Sequence, residues 1–163
     1  MTFTQTGDAT IREYVQAWQK LDVDEQLALF WFIYKEMGSS ITPAAPGAST
    51  VSPEIAEGLF NQVKELNHEQ QLQLQRDLIK GVDNQLSREY GSLGDTTKLL
   101  FWYRLAQGME STTIVPLPAG YQLSSPSQQL LAKIKELSFE KQMNLFRDYV
   151  SPMGAEPQAG AKI

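Results

Sequence analysis

Three nine-residue stretches share one pattern, and that pattern commits much of the chain to helices. Leu21-Asp-Val-Asp-Glu-Gln-Leu-Ala-Leu29, Leu66-Asn-His-Glu-Gln-Gln-Leu-Gln-Leu74 and Leu137-Ser-Phe-Glu-Lys-Gln-Met-Asn-Leu145 all read L-x-x-[DE]-x-Q-[LM]-x-L. Each places an apolar residue before a capping residue, an acid in the first turn, and then Leu or Met facing a core. The second and third copies continue alike, as Leu74-Gln-Arg-Asp-Leu78 and Leu145-Phe-Arg-Asp-Tyr149. Where these carry Arg76 and Arg147, the first copy carries Trp31. The copies are unequally spaced, which excludes a solenoid and fits bundles of related helix pairs with one copy specialised.

The rest of the chain carries the same helix punctuation. Thr10-Ile-Arg-Glu13 reads as a capping box, followed by Ile11, Tyr14, Val15 and Trp18 at helical spacing. Asp22 with Glu25 opens a helix that runs to the region of Lys35–Met37, with Gly38 at its C-terminal stop. Ser52-Pro53-Glu54 opens the next, through Ile55, Leu59 and Val63. Asn67 with Gln70 starts one ending at Gly81, and Asp95 caps one reaching Glu110. Ser125-Pro126-Ser127-Gln128 leads into Leu130, Leu131 and Ile134, and Ser138 caps a last helix ending near Val150. No stretch alternates with period two for long enough to make a strand, so the fold is predicted to be all-α. Residues 41–48 and 114–121, rich in Pro, Gly and Ala, are loops. From Pro152 onward the composition predicts a frayed end, giving a helical domain over 1–154 and a flexible tail over 155–163.

Composition narrows the function. The 163 residues contain no cysteine and one histidine, which removes disulfides, thiolate metal sites and most acid–base chemistry. A net charge of −5 argues against a nucleic-acid surface. The first twenty residues show no signal-peptide pattern, and the apolar runs are too short to span a membrane. There is no phosphate loop, no GxSxG and no HExxH. The acids Glu25, Glu69 and Glu140 sit in the first turns of three helices, where capping and dipole complementarity explain them. His68 reads as a solvated helix start. These features point to a soluble protein that is not an enzyme.

The aromatics are the informative residues. Phe30-Trp31-Phe32-Ile33-Tyr34 and Leu99-Leu100-Phe101-Trp102-Tyr103 hold seven of the sixteen aromatic side chains. Leu27, Trp31 and Tyr34 share one helix face, with Phe30 close by. Leu99, Trp102, Ala106 and Met109 share another, with Phe101 and Leu105 predicted opposite. Helices apolar nearly all round are buried on several sides. Large aromatics ordinarily just fill a core, but two Trp-plus-Tyr sets near small Ala106 and Ala44-Ala45 suggest a rigid-walled slot.

At these blocks the chain resembles a known family. Asp24-Glu-Gln-Leu-Ala-Leu-Phe-Trp-Phe-Ile-Tyr-Lys-Glu-Met-Gly38 with Ile41-Thr-Pro-Ala-Ala-Pro-Gly-Ala48 resembles the N-terminal effector domain of the cyanobacterial orange carotenoid protein. So do Lys98-Leu-Leu-Phe-Trp-Tyr103, Val115-Pro-Leu-Pro-Ala-Gly-Tyr121 and the closing Arg147…Met153-Gly154. The likeness runs from Thr10 to Gly154, without the family's C-terminal domain, as in the stand-alone helical carotenoid proteins.

The resemblance implies two interleaved four-helix bundles with a central tunnel for a keto-carotenoid, typically canthaxanthin, with echinenone or 3'-hydroxyechinenone as alternatives. By matching position, Leu27, Phe30, Trp31, Tyr34, Met37 and Ile41 would line one side of the polyene. Leu99, Trp102, Tyr103, Ala106 and Met109 would line the other, with Leu117 from the connector and Met153 near the end. Phe30 replaces a smaller aliphatic, Leu100 and Ala106 replace glycines, and Pro43 an isoleucine, all of which bear on tunnel width. The position of Arg147 serves docking in the parent family, while Thr96 stands where the parent has an asparagine facing the C-terminal domain.

The expected function is soluble, cytoplasmic photoprotection by a pigment-bound monomer that quenches singlet oxygen. The alternatives are an excitation quencher docked on the phycobilisome (with thylakoid or phycobilisome association), a carotenoid-exchange partner of a separate C-terminal-domain homologue, and a helical scaffold that binds no pigment. The physics suits such a ligand. An 18-residue helix is about 27 Å long, and burial gains of roughly 0.8 kcal/mol per CH₂ bind an apolar rod without a charged anchor.

Overall fold

The computed structural model describes residues 9–37 and 53–156, and among them it contains eight helices and no strand. These are α1 (Ala9–Gln19), α2 (Val23–Met37), α3 (Pro53–Lys64), α4 (His68–Lys80), α5 (Gln85–Gly91), α6 (Asp95–Glu110), α7 (Ser125–Lys135) and α8 (Phe139–Val150). Gly38, Ile41, Pro43, Ser52 and the 41–48 loop lie outside the described residues.

Local chemistry sets most of the helix ends. Asp22 accepts the Glu25 backbone N–H at 2.9 Å at the start of α2. The Asn67–Gln70 capping box is reciprocal, with bonds of 2.8 and 3.1 Å. Ser138 accepts from the Lys141 N–H, and Gly81 ends α4 at φ 73°, a left-handed conformation suited to glycine. Three starts differ from the sequence expectation by one or two residues. Thr10 lies inside α1, Asp95 is the first residue of α6 after Gly94, and Ser124 rather than Ser125 caps α7. The short helix α5 was not predicted. Asn84 starts it by accepting the Ser87 N–H, and Tyr90 anchors it fully buried.

The repeat has a role that its pattern alone did not reveal. Its glutamines, Gln26, Gln71 and Gln142, are all buried and turn back to cap the end of the preceding helix. Gln26 donates to the Leu21 carbonyl at 2.8 Å, Gln71 to Val63, Leu66 and Thr113, and Gln142 to Ile134 at 3.0 Å. Each copy therefore ties two helices together through carbonyls at the end of the preceding helix.

Helix α2 packs on α4, α6 and α7, while α6 lies between α3 and α8 and α1 rests on α7 and α8. Bidentate ion pairs reinforce two of these contacts: Arg76 with Asp24 between α4 and α2, and Arg104 with Glu57 between α6 and α3. In the core Trp18 stacks on Tyr149 at 4.5 Å and on Phe30 at 5.0 Å.

The acids of the three first turns are not equivalent. Glu69 and Glu140 are exposed, but Glu25 is buried and accepts the Tyr121 hydroxyl at 2.7 Å and the Ser124 N–H at 2.6 Å. It thereby fastens the extended connector before α7 onto α2. Burial raises the Glu25 carboxyl, but hydrogen bonds from Ser127, Ser124 and Tyr121 outweigh it and hold the group below its ordinary value.

Fraying does not begin at Pro152. Met153 and Ala155 are buried, Gly154 donates to the Leu78 carbonyl at 2.8 Å, and Ala155 to that of Ser87 at 3.1 Å. Gly154 sits at φ +83°, and a Cβ there would approach Tyr90 Cδ1 to 2.6 Å. The chain end thus closes over α4 and α5 at a point only glycine fits.

Candidate functional site

The two aromatic blocks face each other across an apolar cavity. From α2 come Leu27, Phe30, Trp31, Ile33 and Tyr34; from α6 come Leu99, Trp102, Tyr103, Leu105, Ala106 and Met109. Phe146 and Val150 of α8 and Gln75 of α4 complete the wall. The volume inside is about 60 Å³. A second cavity of about 180 Å³ lies under the connector, lined by Leu72, Val115, Pro116, Leu117, Pro118 and Tyr121 with Asp24 and Arg76. Leu27, Gln75 and Met109 line both, so the two are adjoining compartments.

The aromatic walls are held edge and face. Trp31 stacks on Tyr34 at 5.6 Å, and Tyr34 meets Tyr103 edge-on at 5.5 Å. The Tyr34 hydroxyl donates to Glu110 at 2.8 Å; burial and that acceptor push its pKa up to about 12, keeping it a donor. Phe30 reaches Trp102 edge-on at 5.2 Å while stacking on Trp18. Its extra bulk is therefore taken up in the core stack as well as in the slot. Trp102 is buried, and its indole is tied by a hydrogen bond to Tyr90. Trp31, Tyr34 and Tyr103 are only half-buried, as are Phe30, Leu99 and Met109.

Of the residues singled out from sequence, Leu27, Phe30, Trp31, Tyr34, Leu99, Trp102, Tyr103, Ala106 and Met109 line the inner cavity, and Leu117 lines the outer one. Met37 and Met153 are buried in the core but line neither, and Ile41 lies outside the described residues. Leu105, predicted on the far face of its helix, reaches the wall, whereas Phe101 is fully buried against Tyr90. Leu100 lines neither cavity, so its bulk does not narrow them. Arg147 is half-buried on α8. Sequence reading missed Ile33, Gln75, Phe146 and Val150. One signal pointed to two of them: Phe30, Gln75 and Phe146 occupy the same repeat position, directly after Leu29, Leu74 and Leu145.

Fold and cavity define an all-helical domain built round an apolar, aromatic-walled slot, a class suited to a flat or rod-like hydrophobic molecule. The chain belongs to the family described as orange carotenoid protein, N-terminal, whose model matches residues 4–156. An orange carotenoid-binding domain-containing protein of Nostoc sp. (strain PCC 7120) is 44% identical over 95% of this chain and 89% of its own length. The orange carotenoid-binding protein of Synechocystis sp. (strain PCC 6803) is 40% identical over 90% of this chain, which spans 44% of that protein. A solved structure of the red carotenoid protein of Anabaena (Nostoc) sp. PCC 7120 binding canthaxanthin aligns with a TM-score of 0.81 at 78% identity, covering 90% of this chain and 99% of that one.

Proposed function

We propose that this protein binds a keto-carotenoid, canthaxanthin or a close relative, in the slot between α2, α4, α6 and α8 and serves in photoprotection. The observation that carries the reading is the slot itself: nine residues picked out in the sequence for a carotenoid meet round one apolar cavity. Relatives described as binding canthaxanthin support it.

The inner lining fits the ligand in kind, being aliphatic and aromatic apart from Gln75, and in the outer one Asp24 and Arg76 neutralise each other as an ion pair. In volume the two compartments fall short of the roughly 300–1,000 Å³ of a ligand pocket. Binding therefore calls for Trp31, Tyr34 and Tyr103 to swing outward and widen the inner compartment. Trp102, pinned through Tyr90, would stay as the fixed wall. The bound pigment would supply the photophysics, taking excitation from singlet oxygen and releasing it as heat. The chain's own residues exclude water, hold the polyene flat and make or break no bonds.

In this reading the helices form two interleaved bundles in one domain that includes the docked segment Met153–Ala155. The protein acts as a soluble cytoplasmic monomer, and no helix among the described residues is long and apolar enough to cross a membrane. Quenching of singlet oxygen is the leading activity. Docking to the phycobilisome through Arg147, or exchange of pigment with a C-terminal-domain homologue, would be additional.

Expression of the full chain in a canthaxanthin-producing host tests the reading. A coloured, stoichiometric complex with a red-shifted visible spectrum is expected. A folded but colourless protein from that host would overturn it. The fluorescence of isolated phycobilisomes with the pigmented protein, across a salt series, then separates antenna quenching from quenching of singlet oxygen alone.

A further inference from the structure

Gln75 does not belong in an apolar wall. It is 5% exposed, and its side-chain Nε2 has no hydrogen-bond partner among the described residues. The other copies of the repeat place Phe30 and Phe146 at this position, and those rings line the same inner cavity. One turn earlier on α4, Gln71 spends its amide on three backbone carbonyls, as Gln26 and Gln142 spend theirs on helix ends. Gln75 alone among these buried glutamines keeps a donor that nothing in the described chain accepts. A buried amide N–H left without an acceptor is costly, and phenylalanine at this position would carry no such cost. Its location adds meaning: Gln75 lines both compartments, at the partition that a rod passing from one to the other must cross.

We propose that the Gln75 side-chain amide donates a hydrogen bond to an oxygen on a terminal ring of the bound carotenoid, and so selects oxygenated carotenoids over hydrocarbon ones. The proposal rests on the carotenoid reading of the slot and adds a register to it. One end ring stops at the partition, between Leu27, Met109 and Gln75, instead of the polyene passing through. Of the other polar groups in the two walls, Tyr34, Tyr121, Asp24 and Arg76 already spend their hydrogen bonds on protein partners, so discrimination falls to the buried amide that has none. A neutral donor in a dry site supports about a tenfold preference, equivalent to about 1.4 kcal/mol.

The test loads the full chain from an equimolar mixture of canthaxanthin and β-carotene and measures the bound ratio after extraction. The unaltered protein is expected to favour canthaxanthin about tenfold, and Gln75→Met and Gln75→Leu to take the two about equally. Resonance Raman supplies a readout that packing alone would not move. The carbonyl stretch of canthaxanthin should lie lower in the unaltered protein than in an apolar solvent, and Gln75→Met should restore the solvent value. A carbonyl stretch in the unaltered protein that matches the solvent would overturn the proposal even if neither variant folds. So would a pigment ratio that survives both substitutions. Failure of the unaltered chain to take up either pigment would instead refute the carotenoid reading beneath it.

Discussion

The indole N–H of Trp102 donates to the hydroxyl of Tyr90 at 3.0 Å, and that hydroxyl donates in turn to the Val150 carbonyl at 2.8 Å. The chain of bonds joins the slot wall to a fully buried ring on α5 and to the end of α8. It fixes the tilt of Trp102, a large wall residue that is itself buried. Trp102→Phe should keep the aromatic surface but lose the N–H, costing about 1 kcal/mol in urea unfolding while pigment still binds. An equal loss in Tyr90→Phe and in the double variant would show the two residues acting as one unit.

Trp31 offers the cleaner test of the opposite wall. It is half-buried and stacks on Tyr34, so truncation removes ligand contact without opening a deep core cavity. Trp31→Ala should retain helical circular dichroism and lose pigment or shift its absorbance. Trp102→Ala, by contrast, should cost about 3–5 kcal/mol of stability, which confounds any effect on binding. An unchanged visible spectrum in Trp31→Ala would remove Trp31 from the site.

Acid should loosen the connector through Glu25. Its carboxyl is held below the ordinary value in the fold, so its contribution is complete above about pH 4.3, the value of an unperturbed glutamate. The contribution disappears as pH falls through the depressed folded value. Thermal melts from pH 7 down to pH 3 should therefore show a drop in Tm that Glu25→Gln reduces, the remainder coming from Asp24 and Glu57, whose arginine partners hold them below the ordinary carboxylate value as well. At pH 7 that variant should be less stable by about 2 kcal/mol, because Tyr121 and Ser124 lose a charged acceptor.

Closure of the chain end depends on Gly154. Alanine there would need a left-handed backbone and would press its Cβ against Tyr90. Gly154→Ala should destabilise the protein by more than about 1 kcal/mol and expose the amide of Ala155 to hydrogen exchange. Retained protection of Ala155 would mean that the segment is held by other contacts.

The repeat glutamines provide a last check. Gln142→Leu removes the side-chain donor that joins the Ile134 carbonyl at 3.0 Å and unties α8 from the end of α7. A loss of about 1–3 kcal/mol is expected by urea denaturation. Glu140→Gln, on the exposed first turn of the same helix, should change stability by only a few tenths of a kcal/mol.

How much could be read from the chain follows from the range of each interaction. Caps act within four residues, so Asn67 with Gln70, Ser138 and Gly81 announce their helix ends directly, and the apolar blocks announce which helices are central. The family likeness rests on those same contiguous blocks. A seven-residue helix such as α5 escapes because it has too few turns to display a stripe, and its stability comes from Tyr90 in the core rather than from propensity. The fate of the closing segment was likewise invisible, since its bonds run to Leu78 and Ser87 and its composition is that of a loose end.

The slot divides in the same way. Sequence alone determined its aromatic faces on α2 and α6, because residues at helical spacing share a face wherever the helix lies. Only the tertiary structure decided that α8 brings Phe146 and Val150 to that slot, that Met37 and Met153 are spent on the core, and that Gln75 stands in the wall with a donor to spare. Those outcomes depend on how helices far apart in the chain are packed, and packing is settled by the mutual fit of whole surfaces, which no local pattern encodes.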